Sequence, residues 1–335
     1  MERISVLVAV YNAEKTLRRC LDSLIHQTLG EEVQIICIDD ASTDASLAII
    51  REYEEKYNNV DVVALKKNRG QAHARNQGIP LVRGFVTTFL DSDDYLAPDA
   101  LEQALIPFEH NSQTDAVLFN LVLVYPDGTE KEYSQTSFEC ISGYDAFTKA
   151  LSWDIHGVYV ARSELYKQFP YDETCYCYSD DNTTMTHYLH SKEVRCCTGK
   201  YYYVQHDESC THQINVNRFE WIKANMNLHK NLVKWSMPKD IINIYEKTRW
   251  NVLLGCFWFY HRYKNRLSKQ DRDYALTTMH EAWKDIDTRS CLPPSLKYKP
   301  GYMPLKWSWT LFRWQEWMLY MLRKLKYDKD GNKKR

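Results

Sequence analysis

The first half of the chain alternates short apolar runs with stretches whose apolar side chains recur every three or four positions. The apolar runs predict buried strands at residues 4–10, 33–38, 60–65, 85–90 and 116–124. Leu17, Leu21 and Leu24 give the first helix an apolar stripe, and Ser42 is predicted to cap the helix that follows the second strand. Strands that alternate with helices predict a mostly parallel α/β sheet covered by helices on both faces.

Beyond about residue 215 the pattern changes, because strands are no longer evident and long helical periodicities follow one another. Nine of the ten tryptophans lie after residue 220, and only Trp153 precedes it. Neither an internal repeat nor a low-complexity linker separates the two parts. The sequence therefore predicts two domains, an α/β domain over residues 1–215 and a helical, Trp-rich and basic extension over residues 216–335.

The charges divide in the same way as the tryptophans. The whole chain has 43 Lys and Arg against 44 Asp and Glu, a formal net charge of −1, which excludes a uniformly basic nucleic-acid-binding protein. Residues 1–220 hold 19 basic and 34 acidic side chains, whereas residues 221–335 hold 24 and 10. The near-zero total conceals an acidic α/β domain and an extension with a net charge of +14.

Targeting signals and cysteine usage predict a cytoplasmic location. The apolar run at residues 4–10 continues into Tyr11 and Asn12 without a cleavage pattern, which is typical of a strand rather than a signal peptide. No uncharged apolar run reaches the roughly 18 residues that a membrane-spanning helix needs. The ten cysteines show no C-x-x-C spacing, which favours reduced thiols over a zinc site or a disulfide framework.

Carboxylates cluster directly after two of the predicted strands. Asp39 and Asp40 follow the second strand, and Asp91, Asp93 and Asp94 follow the fourth. Because the carboxyl ends of parallel strands meet at one edge of a sheet, we expect these side chains to converge there. Carboxylates that lie close together repel one another, and a bound cation relieves this repulsion. Ligands that are all oxygen atoms favour Mg²⁺ or Mn²⁺ over zinc. A cation held by only one or two side chains keeps open coordination positions, which favours a nucleoside diphosphate as the ligand. The structural alternative is a turn that contains several aspartates and binds nothing.

Sequence motifs exclude some classes of nucleotide-binding protein and favour one family. No G-x-G-x-x-G or G-x-x-x-x-G-K-[ST] follows the first strand, which argues against a dinucleotide oxidoreductase and a P-loop phosphotransferase. Four motifs instead occur in the order and spacing of one family: Val8-Ala9-Val10-Tyr11-Asn12-Ala13-Glu14, Ile38-Asp39-Asp40-Ala41-Ser42-Thr43-Asp44, Asn68-Arg69-Gly70 with Ala74-Arg75-Asn76-Gln77-Gly78, and Phe89-Leu90-Asp91-Ser92-Asp93-Asp94-Tyr95. Over about residues 4–100 the chain resembles the family 2 glycosyltransferases of bacterial cell-surface polysaccharide synthesis, which are inverting enzymes with the GT-A fold.

The resemblance implies a GT-A type, Rossmann-like catalytic domain over residues 1–215 and a set of donor-binding residues. Tyr11 would stack on the base of a nucleotide, and Asp40 would accept a base N–H, with Asp39 as the less favoured substitute. Arg75 would hold the diphosphate or order the loop around it, and a structural ion pair is the alternative. The nucleotide-sugar-binding residues that the resemblance implies are Tyr11, Asn12, Asp39, Asp40, Arg75, Asp91 and Asp93.

The resemblance also implies a Mg²⁺ or Mn²⁺ site and a catalytic base. Asp93, near the ribose, and Asp94 would lie at the metal, and His206 would complete the site unless it is a plain surface residue. Inverting transfer needs a carboxylate that takes the proton of the attacking hydroxyl. The pair Asp180-Asp181 resembles the family's Glu-Asp motif, so Asp181 is predicted as the base, with Asp180 beside it. A helix cap is the structural alternative for this pair.

Residues 304–327 combine tryptophan, other apolar residues and basic residues. This composition fits a helix that lies in the interface of an anionic membrane, and packing against protein is the alternative. The apolar members are Trp307, Trp309, Leu311, Phe312, Trp314, Trp317, Met318, Tyr320, Met321, Leu322 and Leu325.

Taken together, the sequence predicts a cytoplasmic, metal-dependent, inverting glycosyltransferase, in peripheral contact with the membrane. It would move a sugar from a nucleotide-diphosphate donor, UDP-linked by preference, to a hydroxyl of a glycan or lipid-linked acceptor. Trp153 and His156-Gly157 are expected to line the acceptor pocket. The alternatives are a sugar-phosphate nucleotidyltransferase and a non-catalytic protein that binds a nucleotide sugar or a glycan.

Overall fold

The computed structural model describes residues 2–135, 137–175, 178–205, 214–291, 295, 298–299 and 303–331. The chain divides into two compact units, Met1–Ser209 and Cys210–Arg335. The boundary predicted between residues 215 and 216 lies close to this division. Each unit has hydrophobic core clusters of its own.

The first unit is built on one sheet of ten strands within the described residues. The strand order is β3-β2-β1-β4-β9-β6-β10-β5, with β7 paired to β6 and β8 to β10. The pairs among β1 to β4 are parallel, as is β6 with β10, whereas β5, β7, β8 and β9 pair antiparallel with their neighbours. The strands are β1 (Ile4–Val10), β2 (Val33–Asp39), β3 (Val60–Ala64), β4 (Val86–Phe89), β5 (Tyr95–Leu96), β6 (Thr114–Val124), β7 (Glu130–Glu132), β8 (Cys140–Ser142), β9 (Tyr159–Arg162) and β10 (Glu193–Val204).

Helices cover both faces of this sheet, so its central strands are apolar on both sides. In β1, Val6 and Val8 belong to one core cluster and Leu7 to the other, as expected when successive side chains point to opposite faces. Helices α1, α2 and α4 contribute to the first cluster, and α3, α5, α6 and α7 to the second. Their bounds are α1 (Leu17–Ile25), α2 (Ser46–Lys56), α3 (Gln71–Gly78), α4 (Ala100–His110), α5 (Gly143–Leu151), α6 (Ser163–Gln168) and α7 (Ser179–Leu189).

The five predicted strands are confirmed, but the sequence analysis missed short strands, and one local prediction is wrong. The short strand β9 was not predicted, and it lies antiparallel between β4 and β6, where Ala161 pairs with Thr87 and Ala116. Four residues are too few to show the alternating pattern of a strand, and the strands that β9 pairs with, β4 and β6, are distant in sequence. The predicted cap Ser42 is also wrong, because α2 begins only at Ser46.

The second unit consists of helices within the described residues. They are α8 (Glu220–Lys234), α9 (Lys239–Tyr263), α10 (Lys269–Asp285), α11 (Thr288–Cys291) and α12 (Trp309–Gly331). Ser268 and Asp271 form a capping box that fixes the start of α10. Trp250 and Trp283 are buried in the core of this unit, together with Phe257 and Phe312. Part of the tryptophan enrichment therefore serves the core.

Candidate active site

The loops that follow β1 and β2 hold each other at the carboxyl edge of the sheet. The backbone N–H of Asn12 donates to Ser42 Oγ at 3.0 Å, and the N–H of Thr43 donates to Asn12 Oδ1 at 2.8 Å. Asn12 and Ala41 have φ values of 49° and 61°, in the left-handed region, so both loops turn sharply. Asn12 therefore shapes this edge, and the neighbouring Tyr11 leaves 45% of its surface exposed.

The adjacent carboxylates after β2 have different surroundings, although both are buried. The carboxylate of Asp40 accepts the backbone N–H of Arg69 at 3.0 Å and that of Gly70 at 2.7 Å, directly before α3. Asp39 Oδ2 accepts the N–H of Ser42 at 3.2 Å. Within the described part of the chain, Asp39 Oδ1 has no hydrogen-bond partner. Asp40 thus orders the start of α3, whereas Asp39 keeps one buried oxygen for another donor.

Arg75 is a buried cation beside Asp91. Its guanidinium forms an ion pair with Asp91, and its Cζ lies 4.3 Å and 5.1 Å from the ring centroids of Phe89 and Tyr171. Burial alone would lower the pKa of Arg75, but the negative charges of Asp91 and Asp180 help raise it above its ordinary value. Among the residues that the structure describes, Arg75 Nε and Nη1 have no hydrogen-bond partner. The ion pair predicted as the alternative role of Arg75 is therefore present, and two donors remain beside it.

Asp94 is fully enclosed by the protein. The hydroxyl of Tyr201 donates to its Oδ2 at 2.9 Å, and the backbone N–H of Val204 donates to its Oδ1 at 2.8 Å. Burial, followed by the charges of Asp91 and Asp93, raises the pKa of Asp94 well above its ordinary value. The structure therefore places Asp94 as an anchor between the loop after β4 and strand β10, with both oxygens used inside the protein.

Asp91 and Asp93 are the partly exposed carboxylates of the same loop. Desolvation, opposed by Arg75 and reinforced by Asp93 and Asp180, raises the pKa of Asp91 to about 6. The described residues contain no group of three His, Cys, Asp or Glu side chains that could hold a metal ion. His206, predicted at the metal, lies outside the described residues.

The two carboxylates predicted for general base catalysis, Asp180 and Asp181, lie at the start of helix α7. Tyr178 has a φ of 69° and precedes the helix, which places Asp180 and Asp181 in its first turn. Burial and the charge of Asp180 raise the pKa of Asp181 well above its ordinary value. Asp180 also raises the pKa of Asp91 and that of Arg75, so the loop after β4 and the start of α7 are electrostatically coupled.

A side-chain clamp from α3 holds the segment that leads to α7. Asn76 Nδ2 donates to the carbonyl oxygen of Tyr171 at 2.8 Å, and the N–H of Tyr171 donates to Asn76 Oδ1 at the same distance. Asn76 Nδ2 also donates to Glu173 Oε1 at 2.7 Å. Asn182, within α7, donates to Asp172 Oδ2 at 2.6 Å. These contacts tie the loop before the predicted base to α3, the helix that carries Arg75.

This arrangement agrees with what comparison with known proteins shows. The family model described as "Glycosyl transferase family 2" matches residues 5–173, which include the loops after β1, β2 and β4 and Asn76 of the clamp. The chain belongs to glycosyl transferase family 2.

The relatives of this family 2 chain include a glucosyltransferase and a teichoic acid biosynthesis protein. The chain is 40% identical over 131 residues to the poly(ribitol-phosphate) beta-glucosyltransferase of Bacillus spizizenii, a match over 38% of this chain and 20% of that protein. It is 36% identical over 132 residues to the minor teichoic acid biosynthesis protein GgaB of Bacillus subtilis, over 39% of this chain and 14% of that one. The matches therefore span a minor part of these relatives' own length.

A solved structure extends the likeness to both units of the family 2 chain. Residues 1–349 of S. aureus TarS, crystallised in complex with UDP-GlcNAc, align with a TM-score of 0.75 and 19% sequence identity. The alignment covers 94% of this chain and 90% of that one. The predicted GT-A type fold with helices after it is thereby confirmed.

Sequence reasoning missed the residues that position the site and misplaced one candidate. Asn76 stands inside a quoted motif and Tyr201 in a tyrosine-rich strand, but their partners lie about 100 residues away and only the fold reveals them. His156, predicted to line an acceptor pocket, is buried, and its Nε2 lies 3.1 Å from the carbonyl oxygen of Phe119. Burial lowers the pKa of His156 to about 4. His156 is therefore a core residue, whereas Trp153 is half exposed.

Proposed function

We propose that this family 2 glycosyltransferase moves a sugar from a UDP-linked donor to a hydroxyl of a polymeric or lipid-linked acceptor, with inversion at the anomeric carbon. The observation that carries the proposal is the coupled cluster of Asp91, Arg75 and Asp180-Asp181. It joins the carboxylates after β4 to a partly buried carboxylate pair at the start of α7. Inverting transfer needs both of these features, a site for the donor diphosphate and a carboxylate that acts as general base.

Tyr11 and the carboxylates after β2 are proposed to hold the nucleoside. The exposed ring of Tyr11 offers a stacking surface at the carboxyl edge of the sheet. Asp39 Oδ1 is a buried acceptor without a partner in the described chain, which suits a base N–H. Because Asp40 already accepts two backbone N–H groups, we assign the base to Asp39 rather than to Asp40. The complexes of TarS with UDP and UDP-GlcNAc support a uridine nucleotide.

Asp93, with Asp91 beside it, is proposed to hold Mg²⁺ or Mn²⁺ together with the donor diphosphate. Both carboxylates are partly exposed, and their oxygen donors suit either ion. Two side chains leave coordination positions of the ion open for diphosphate oxygens. When bound, the ion neutralises charge on the leaving diphosphate. Asp94, enclosed and doubly hydrogen-bonded, is proposed to support the loop instead.

Asp181 is proposed as the general base for the acceptor hydroxyl. Burial and the charge of Asp180 raise its pKa, and a raised pKa makes the carboxylate a stronger proton acceptor. The clamp by Asn76 and the hydrogen bond from Asn182 to Asp172 hold the segment that precedes it. In a single displacement the acceptor oxygen attacks the anomeric carbon while the donor diphosphate departs from the opposite side. Arg75, fixed between two rings, keeps Asp91 in place during this step.

The acceptor is proposed to be a glycan or polyol-phosphate polymer, or its lipid-linked precursor. The support comes from the two relatives, one a poly(ribitol-phosphate) glucosyltransferase and one a protein of minor teichoic acid synthesis. We also propose that the reaction takes place in the cytoplasm at an anionic membrane surface. Within the described residues, no helix is both long and apolar enough to cross a bilayer.

Release of UDP from a panel of sugar nucleotides tests this function. We expect slow hydrolysis of UDP-glucose or UDP-N-acetylglucosamine with Mn²⁺, no turnover of GDP-mannose, and at least about a tenfold lower rate with EDTA. Addition of a polyol-phosphate acceptor should accelerate UDP release. Binding of UDP without turnover of any sugar nucleotide would instead indicate a non-catalytic binding protein. Pyrophosphate release from UTP and a sugar phosphate would indicate a nucleotidyltransferase.

The roles of Asp39 and Asp40 can be separated by two substitutions. Asp39→Asn is expected to weaken UDP binding about tenfold or more, because a charged acceptor contributes roughly 1.5–3 kcal/mol to such a hydrogen bond. Asp40→Asn should chiefly lower the melting temperature, since it weakens the cap on Arg69 and Gly70. Calorimetric titration with UDP and thermal unfolding measure the two effects. Loss of UDP binding only in Asp40→Asn, at an unchanged melting temperature, would return the base contact to Asp40.

A further inference from the structure

Helix α12 has an apolar surface on each of two opposite sides. On one side Phe312 is fully buried, and its ring centroid lies 5.3 Å from that of Trp250 and 5.4 Å from that of Phe257. Trp309 packs on the same side, 5.6 Å from Phe257. This side joins the helix to the core of the second unit and accounts for its position there.

The opposite side of α12 presents large apolar side chains to solvent. At about 100° per residue, a set centred roughly opposite Phe312 forms one stripe that we call the outer face. Between Leu311 and Leu325 it runs for about 21 Å along the helix axis. Trp314, Leu322 and Leu325 each expose more than half of their surface. The outer face consists of Leu311, Trp314, Trp317, Met321, Leu322 and Leu325.

Up to residue 325, the exposed charges on α12 itself are of one sign. Arg313 and Lys324 are exposed on α12 at the margin of the face. The one acidic side chain between residues 309 and 325 is Glu316, and it is buried on the side of Phe312. Residues 221–335 as a whole carry a net charge of +14. A second copy of this surface would bring like charges together, whereas an anionic lipid surface would complement them.

We infer that the outer face of α12 is a membrane-docking surface that inserts its tryptophans and leucines into the headgroup zone of an anionic bilayer. Tryptophan prefers this zone, and basic side chains beside it attract acidic headgroups. The helix lies parallel to the bilayer, because its inner side remains packed on α9 and α10 through Phe312. This inference deepens the proposed membrane partner and is independent of whether Asp181 transfers a sugar.

Flotation of the full chain with vesicles tests the inference. We expect the protein to float with vesicles of equal parts phosphatidylglycerol and phosphatidylcholine, and a smaller fraction to float at high salt. With vesicles of phosphatidylcholine alone, the protein should not float. The triple variant Trp314→Gln, Trp317→Gln and Leu322→Gln should lose at least about tenfold in partition coefficient. The matched control Leu81→Gln, Tyr144→Gln and Val233→Gln removes exposed apolar residues elsewhere and should float like the parent chain.

Three further measurements separate docking from misfolding, from sugar transfer and from self-association. Circular dichroism and UDP release without vesicles should be the same in the triple variant and the parent, which excludes misfolding and separates docking from sugar transfer. Failure of the parent chain to float would overturn the inference, as would equal flotation of the triple variant. Light scattering that shows a dimer of the parent, and a monomer of the triple variant, would assign the outer face to a second copy instead.

Discussion

Replacement of Asp181 by asparagine is expected to lower the rate of sugar transfer by about a thousandfold, within the range that a general base contributes. The asparagine keeps the size of the side chain in the first turn of α7 but cannot accept the proton of the acceptor hydroxyl. UDP binding should be unchanged, because the residues proposed for the nucleotide lie on the loops after β1, β2 and β4. Transfer rates at saturating donor and calorimetric titration with UDP measure the two quantities.

The control for this variant must change the charge by the same amount away from the site. Asp127→Asn, in the turn between β6 and β7, does so and should keep the full rate. The pH dependence gives a second readout. Because the base works ionised and Asp180 raises its pKa, the rate should rise with pH as Asp181 loses its proton. Asp180→Asn removes that neighbouring charge and should shift this rise to lower pH. Full activity of Asp181→Asn would show that another group accepts the proton.

The edge of the sheet that carries the chemistry could be predicted from the sequence because the strand runs are strongly apolar. Residues 4–10 and 33–38 are buried on both faces, so their ends are marked by an abrupt change to polar residues. Parallel pairing of β1 with β2 and β4 then places those ends side by side. Periodicity alone was therefore enough to locate Tyr11, Asp39 and Asp91 on one edge.

The different roles of neighbouring carboxylates could not be predicted from the sequence in the same way. Asp93 and Asp94 are adjacent and chemically identical, and what separates them is contact with Tyr201 and Val204 of β10, more than 100 residues later. Asp40 differs from Asp39 for a similar reason, through the backbone before α3. Local sequence carries no record of such contacts, since they arise only when distant elements pack.

Substitution of the adjacent carboxylates should give opposite results in stability and ligand binding. Asp94→Ala is expected to lower the free energy of unfolding by about 2–4 kcal/mol, because it leaves the Tyr201 hydroxyl and the Val204 N–H buried without their acceptor. Asp93→Ala, in a partly exposed position, should lower the free energy of unfolding by less than Asp94→Ala does but abolish the Mn²⁺-dependent part of UDP binding. Urea unfolding, and UDP titration with and without Mn²⁺, measure these effects.

Asp94→Asn separates the hydrogen bonds of Asp94 from its charge. The amide oxygen can still accept the N–H of Val204, and the amide nitrogen can donate to the oxygen of Tyr201, whose own O–H then loses its acceptor. Asp94→Asn should therefore lower the free energy of unfolding by less than Asp94→Ala does. Since burial raises the pKa of Asp94, its ionisation opposes folding as pH rises above the ordinary carboxylate range, and the asparagine variant should lose less stability over that rise. If Asp94→Asn keeps its fold but loses Mn²⁺-dependent UDP binding, Asp94 contacts the ion after all. If it keeps both, the enclosed carboxylate acts by holding the loop on which Asp91 and Asp93 meet the donor.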